Sequence, residues 1–318
     1  MKGHVKFLVL ILIVVSLLVT GCSTEDETEM QTLRIGSLPI EDILPIVVAE
    51  KMGFFEQENI SVELIPFQSA VEAESAMQSG RLDGMVTDMI VAILLINSGL
   101  ETKITSITLG TTPEEGRFAI LAAPGTDFET LSDLKGKQVG ISYNSIIEYV
   151  TDGLLEEAGF DTSYVDKVSV PRIPIRMEML LNNQIDAITV PDPLVTFAES
   201  QGATVVADDT TIEKNLSQAV ITLTEDAIGE KHEAIQGFYR AYTKAVTELN
   251  SNPEEFRNVF VENVNIPEPV ADIYNIQQYP EPELPTENDI NNVLNWLTEK
   301  DLLDGELSYE QLVDNSIY

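Results

Sequence analysis

One cysteine, two histidines and one tryptophan in 318 residues leave little material for the commonest kinds of catalysis. A lone cysteine excludes an intrachain disulfide and any multi-cysteine zinc site, and two histidines exclude a three-histidine metal centre. His4 falls among the first few residues, and His232 stands among charges in "IGEKHEAIQGFYRAY", in what reads as the first turn of a helix, where an exposed histidine is ordinary. No catalytic residue, metal or cofactor is expected. Positive charge is equally scarce: 18 Lys and Arg face 53 Asp and Glu, a formal net charge of −35. A nucleic-acid binder needs a basic footprint, so that class of partner is excluded, and anionic lipid would repel such a surface. What is present is ordinary. The hydrophobic fraction of 44% is that of a globular protein, and the length suits two domains.

The longest apolar run follows Lys2 and Lys6 and ends at Val19. It is shorter than the about 20 residues that a membrane-spanning helix needs, and with its positive start it reads as a secretory signal over residues 1–21. Val19-Thr20-Gly21-Cys22 resembles the lipobox of bacterial lipoproteins, and the single cysteine sits where a lipobox needs it. The resemblance implies lipidation of Cys22, with two acyl chains sufficient for stable anchoring. Residues 22–32, polar and acidic, would then be a tether between membrane and folded part.

Two stretches of the chain nearly repeat each other: "AMQSGRLDGMVTD" and "MLLNNQIDAITVPD" set Asp83 over Asp186, Leu82 over Ile185 and Gly80 over Asn183. Around the first copy, "LRIGSL" and "ISVELIPF" read as strands and "DILPIVVAEKMGFF" and "AVEAESAMQSG" as helices, with "LDGMVTD" as a third strand. Around the second, "KQVGISY", "DKVSVP" and "IDAITVP" are strands, and "SIIEYVTDGLLEEAGF" and "PIRMEMLLNN" are helices. Strand, helix, strand, helix, strand with short joints specifies a parallel sheet covered by helices, and two copies specify two such lobes. The expected fold is therefore α/β, with a helix-covered, mostly parallel sheet in each lobe. Lobe 1 is expected over 33–117 and 221–318, and lobe 2 over 118–220, with two chain crossings between them.

In open sheets of this kind ligands bind beyond the carboxyl ends of the strands. Three places per lobe supply that edge: Ser37-Leu38-Pro39 and Ser142-Tyr143-Asn144, then Phe67-Gln68-Ser69-Ala70 and Pro171-Arg172-Ile173, then Thr87-Asp88 and Pro191-Asp192. Facing edges would make a cleft lined by helix-start amides, hydroxyls and carboxylates, suited to a small molecule. The candidate ligand residues are Ser37, Pro39, Asp42, Ser69, Asp88, Tyr143, Asn144, Ser145, Glu148, Arg172 and Asp192. Ser69 and Ser145 precede helices and are natural N-caps as well. Asp83 and Asp186 open their strands, at the wrong end for binding, and read as structural. Arg172 is the one serious cation of the edge loops, and Arg176, a turn deeper, is expected to pair with a glutamate. One arginine against several carboxylates tilts the expected ligand toward a neutral or weakly basic heterocycle, with an anion left open.

The stretches "IVVAEKMGFFEQENISVELIPF", "LSDLKGKQVGISY", "LLNNQIDAITVPDPLVTFAESQGATVV" and "LTEKDLLDGELSYEQLVD", in that order, resemble the solute-binding lipoproteins of ABC importers. The branch they are most similar to is the nitrate, sulfonate, taurine and thiamine-precursor pyrimidine type. The resemblance covers the chain from about Leu33 onward. It implies a type 2 periplasmic-binding fold, a monomer that closes on its ligand, and a permease and ATPase as partners outside the cytoplasm. It also places Asp192, in "PDP", where that family writes an acidic or aromatic residue before proline. Two other readings keep the scaffold. One is an enzyme of pyrimidine or quinone-precursor metabolism, although the related pyrimidine-synthesising enzymes depend on a cysteine-rich segment and a histidine that this chain lacks. The other is a ligand-sensing domain for a receptor, which would use the same cleft.

Overall fold

The computed structural model describes residues 30–112, 115–264 and 266–317. The signal segment, Cys22 and the tether as far as residue 29 lie outside the described residues. Among the described residues no helix is long and apolar enough to cross a membrane.

Ten strands form two five-stranded sheets. The first sheet holds β1 (Gln31–Ser37), β2 (Ile60–Pro66), β3 (Gly84–Asp88), β4 (Thr102–Leu109) and β10 (Ala219–Thr224), in the order β2-β1-β3-β10-β4. The second holds β5 (Phe118–Ala122), β6 (Gln138–Ile141), β7 (Asp166–Ser169), β8 (Ala187–Pro191) and β9 (Thr204–Asp208), in the order β7-β6-β8-β5-β9. Within each sheet the three strands of the repeat run parallel. The expected α/β fold of two helix-covered sheets is present. β3 and β8, the central repeat strands, are buried along their whole length, as strands covered on both faces are.

Each sheet also contains one strand that runs against its neighbours, and this makes both sheets mixed. β10 is antiparallel to β3 and β4, and β5 is antiparallel to β8 and β9. The reason is the path of the chain. Each of these strands arrives from the other sheet and enters at the carboxyl edge, so Ala219 lies opposite Asp88, and Phe118 opposite Pro191. Both crossings therefore lie at the edge where a ligand would bind.

The repeated sentence has a common physical meaning in its two copies. Asp83 Oδ2 accepts from the backbone N–H of Arg34 at 2.8 Å, and Asp186 Oδ2 accepts from that of Gln138 at 2.9 Å. Each carboxylate ties the start of the third repeat strand to the first. The residue before it fills the space above a matched glycine. A Cβ on Gly36 would stand 2.6 Å from Leu82 Cδ1, and one on Gly140 2.9 Å from Ile185 Cδ1. Such approaches are closer than carbon packing tolerates, so glycine and a bulky aliphatic belong together at both places.

The segment after β10 returns to the first sheet. Helix His232–Ser251 packs its apolar stripe on helix Leu44–Lys51, with Phe238 stacked on Phe55 at 5.6 Å between ring centroids. The helix Glu287–Glu299 starts with a Thr286–Asp289 capping box. It packs on helix Met89–Asn97 and also touches the second sheet's helix Ile146–Glu157. Trp296 Nε1 donates to Asp152 at 3.1 Å and its ring meets Tyr149 edge-on, while Lys300 Nζ donates to Glu148 at 2.5 Å and to Asp152 at 2.8 Å. One continuous apolar cluster joins Met89, Ile90 and Val220 of the first sheet's layer to Phe118, Ile120 and Ile147 of the second.

Close packing of β3 on β10 gives a test. A Cβ on Gly84 would lie 2.5 Å from the Thr222 carbonyl oxygen and 2.4 Å from Leu223 Cδ2. Gly84→Ala is expected to cost about 1–3 kcal/mol, seen as a melting temperature lowered by roughly 2–4 °C per kcal/mol. Gly229→Ala, in a helix with nothing within 4 Å of the added carbon, is expected to be neutral or to stabilise by up to about 1 kcal/mol. An unchanged melt for Gly84→Ala would contradict the packing described.

Candidate functional site

The carboxyl edges of the two sheets face each other and enclose a cavity of about 70 Å³. Asp42 and Asp88 come to its wall from the first sheet, Ser145 and Arg176 from the second, and Phe118 and Ala219 from the two crossing strands. The crossings thus form the floor of the site. Most of the remaining wall is aliphatic.

Asp88 ends β3 and caps the helix that follows, its Oδ1 accepting from Val91 N at 2.8 Å. Its Oδ2 accepts from Ile146 N at 3.1 Å, at the start of the helix in the opposite lobe. One carboxylate therefore caps helices on both sides of the cleft. Ser145, expected to cap that second helix, does not. Its hydroxyl donates to the Ser142 carbonyl at 2.8 Å, and Asp88 takes the helix start instead. Ser69 does act as a cap, accepting from Glu72 N at 3.3 Å, and sits beside the cavity residue Ala70.

Asp42 belongs to a short 3₁₀ turn, Glu41–Ile43. The turn is held from behind by the proline-rich segment near the C-terminus. Tyr274 donates its hydroxyl to Glu41 Oε2, and the Tyr279 hydroxyl donates to the Glu41 carbonyl at 2.8 Å. Asp42 is 7% exposed, and its Oδ1 has no hydrogen-bond partner among the described residues; the same is true of the buried Ser37 hydroxyl at the end of β1. Burial and then the charge of Asp88 push the Asp42 carboxyl up to about 7, and burial pushes Asp88 up to about 6. Glu41 is raised well above the usual range, chiefly by burial.

Arg176 is fully buried and holds no glutamate, contrary to expectation. Its Nε donates to Val170 O at 2.9 Å, Nη1 to Thr189 O at 2.7 Å and Nη2 to Pro171 O at 3.3 Å. Three backbone carbonyls, one within β8 and two just after β7, anchor the guanidinium without neutralising it, and its five N–H groups exceed the three bonds given. Burial lowers its pKa to about 9, so it stays cationic at neutral pH. Arg172, expected to be the ligand's cation, turns outward. It is more than half exposed and meets Glu72 of the facing lobe, Nη2 to Oε1 at 2.5 Å. An exposed pair of this kind contributes about 1 kcal/mol or less. Arg176, one helical turn on, is the cation that lines the cavity.

The other candidates divide. Pro39 lines a larger neighbouring cavity of about 360 Å³, which shares Leu38, Ile40 and Ile173 with the small one. Asp192 is buried between Pro191, on the small cavity, and Pro193, on the large one. Its Oδ1 accepts from Thr196 N at 2.9 Å and Oγ1 at 2.8 Å, which holds the loop rather than facing either space. Tyr143, Asn144 and Glu148 line a separate surface groove with Lys167 and Lys300. Tyr143 donates to Lys167 O at 2.8 Å, and Glu148 accepts from Asn144 N at 2.8 Å and from Lys300. The helical turn that brings Ser145 and Ile147 to the cavity carries Glu148 away from it. Phe118 and Ala219 were missed because their strands were read as crossings without a direction. The signal that could have found them is the reversal forced on any strand that enters a sheet from the cleft side.

Comparison with known proteins agrees with this architecture. A candidate thiamine biosynthesis protein of Haemophilus influenzae is 27% identical over 148 residues, which is 46% of this chain and 45% of that protein. The matched stretch therefore spans less than half of that relative. Among solved structures, the ligand-binding component of an ABC-type import system from Staphylococcus aureus superposes with a TM-score of 0.77 at 17% identity, covering 91% of this chain and 98% of the other. The periplasmic aliphatic sulphonate-binding protein of Escherichia coli gives 0.72 at 19% identity, over 89% and 97%. At these identities the two structures share the fold. The NMT1/THI5-like family profile matches residues 40–256, and by that match, which spans every strand but β1, the chain belongs to the NMT1/THI5-like family.

Proposed function

We propose that this chain is the extracytoplasmic solute-binding component of an ABC importer and that it captures a small heterocyclic amine of the thiamine-precursor pyrimidine kind between its lobes. The observation that carries the reading is that Asp42, from the first sheet, and Arg176, from the second, line one cavity. A buried carboxylate oxygen lacks a partner on one side, and a buried guanidinium keeps N–H groups to give on the other. An amino group beside a ring nitrogen offers the matching donor and acceptor. Leaving a buried polar group unpaired costs about 1–3 kcal/mol, so a guest that satisfies both gains selectivity over one that cannot. A sulfonate or nitrate would have to sit against Asp42 and Asp88 and is disfavoured.

In this reading lobe 1 (33–117 and 221–318) and lobe 2 (118–220) close about the two crossings, and the Asp88 cap and the Arg172–Glu72 pair form across the cleft on closure. The protein acts as a monomer, held at the membrane by lipid on Cys22, and hands its solute to a permease driven by an ATPase. It binds without turning its ligand over.

A thermal-shift panel tests the ligand class. At a hundredfold excess over Kd a true ligand adds about 2.7 kcal/mol, or several degrees at roughly 2–4 °C per kcal/mol. Aminopyrimidines are expected to raise the melting temperature, and alkanesulfonates and nitrate to leave it unchanged. A shift with sulfonates alone would reverse the assignment, and product formation from any bound pyrimidine would favour an enzyme.

Asp42→Asn separates binding from stability. Between the ordinary carboxylate pKa of 3.8 and the folded value of about 7, the native state holds a proton that the unfolded chain has lost. Asp42 therefore makes the empty protein less stable as pH rises through that window. Asp42→Asn is expected to melt several degrees higher than the parent at pH 8, by an effect on the order of a few kcal/mol, and to match it near pH 4. The variant should also lose the aminopyrimidine shift. Melts that differ equally at both pH values would disprove the titration argument.

A further inference from the structure

The small cavity cannot hold a whole ring. An engineered cavity of roughly 150 Å³ is what accepts benzene, and this one measures about 70 Å³. That volume suits the amino edge of a heterocycle and little more. The rest of any guest must go elsewhere, and the structure offers one direction. The neighbouring cavity of about 360 Å³ shares three wall residues, Leu38, Ile40 and Ile173, with the small one. The larger cavity alone lies within the range of ordinary small-molecule sites, roughly 300–1,000 Å³, and the small one adds a polar end to it.

The two spaces differ in chemistry. The small one carries Asp42, Asp88 and Arg176. Of the thirteen described residues around the large one, Gln68 alone has a polar side chain, and it is exposed at the rim. Phe67, Met177, Leu194 and Phe197 make the body of that wall, with prolines between them. Phe67 and Gln68 follow β2 in the first sheet, while Met177, Leu194 and Phe197 stand on helices of the second. A guest lying there would touch both lobes a second time.

We infer that the natural ligand is a heterocyclic amine carrying a sizeable apolar substituent, with the amine edge on Asp42 and Arg176 and the substituent in the space bounded by Phe67, Met177, Leu194 and Phe197. This rests on the function proposed above and extends it, because a bare aminopyrimidine would leave the larger cavity to water. The substituent, through its length and width, sets which amine is taken up. A thioether such as Met177 adapts its shape to irregular guests, and the flanking aromatic rings favour a flat or branched group over a polar chain.

The experiment is a calorimetric titration of the purified protein with 4-amino-2-methylpyrimidines bearing methyl, propyl, butyl or benzyl at ring position 5. Each buried methylene is expected to tighten binding about fourfold, so butyl should exceed methyl by roughly 50-fold, and benzyl should bind at least as tightly as propyl. Two variants locate the effect. Leu194→Trp fills the larger space, and Gln68→Trp does so from an exposed position that places no demand on folding. In each, the long members are expected to lose more affinity than the methyl compound, so that the gain along the series disappears. Asp42→Asn is expected to weaken every member alike. Binding of the methyl compound with no gain along the series overturns this inference and leaves the proposed function standing. Gains that survive both tryptophan variants overturn the placement of the substituent. No binding anywhere in the series overturns the inference and the function together.

Discussion

A single negative charge between two helix starts is the constraint on which the closed arrangement depends. Helix N-termini carry partial positive charge and unpaired amides. Here the helices Met89–Asn97 and Ile146–Glu157 begin on opposite sides of one gap. Asp88 serves both, with one oxygen on Val91 N and the other on Ile146 N. Burial raises its pKa and the amides oppose that rise, so the carboxylate is held charged by the same groups it joins. With Asp88 committed in this way, Asp42 Oδ1 is left without a partner among the described residues, and Arg176 lines the same cavity.

What holds Asp42 in place comes from far along the chain. The proline-rich stretch 266–285 has the composition of a linker, yet in the fold it is a brace. Tyr274 and Tyr279 reach from it to Glu41 and fix the turn that carries Asp42. Glu41 itself is buried and raised well above the usual carboxylate range, which suits a group that serves as a fixed hydrogen-bond partner. The acidic composition of the chain thus has two parts. Most carboxylates are solvated, and a few, Glu41, Asp42 and Asp88 among them, are buried beside the cleft.

The repeat made much of this legible before any coordinates. Asp83 and Asp186 matched in sequence because they perform one task twice, tying the third strand to the first, and Gly36 and Gly140 matched because Leu82 and Ile185 need their space. The edge residues followed from strand direction alone, and Asp42, Asp88 and Ser145 do reach the cavity. What sequence could not supply was the direction of individual side chains. Arg172 and Arg176 sit one helical turn apart, and only tertiary packing decides which turns in. Glu148 is one residue past the cavity face and pairs with a lysine 152 positions away, a distance no local pattern records. Strand composition does not record the antiparallel course of β5 and β10, which follows only from the crossing that delivers each strand to the cleft edge.

That both crossing strands begin inside the site has a mechanical corollary. Displacement in a rotation grows with distance from its axis, and the proposed closure turns about the crossings that deliver Phe118 and Ala219, while Arg172, paired with Glu72, is more than half exposed. A few degrees of opening would part the mouth and hardly disturb the floor. On the proposed hinge the floor would change least with opening, and the Asp88 and Glu72–Arg172 contacts between the lobes would form last.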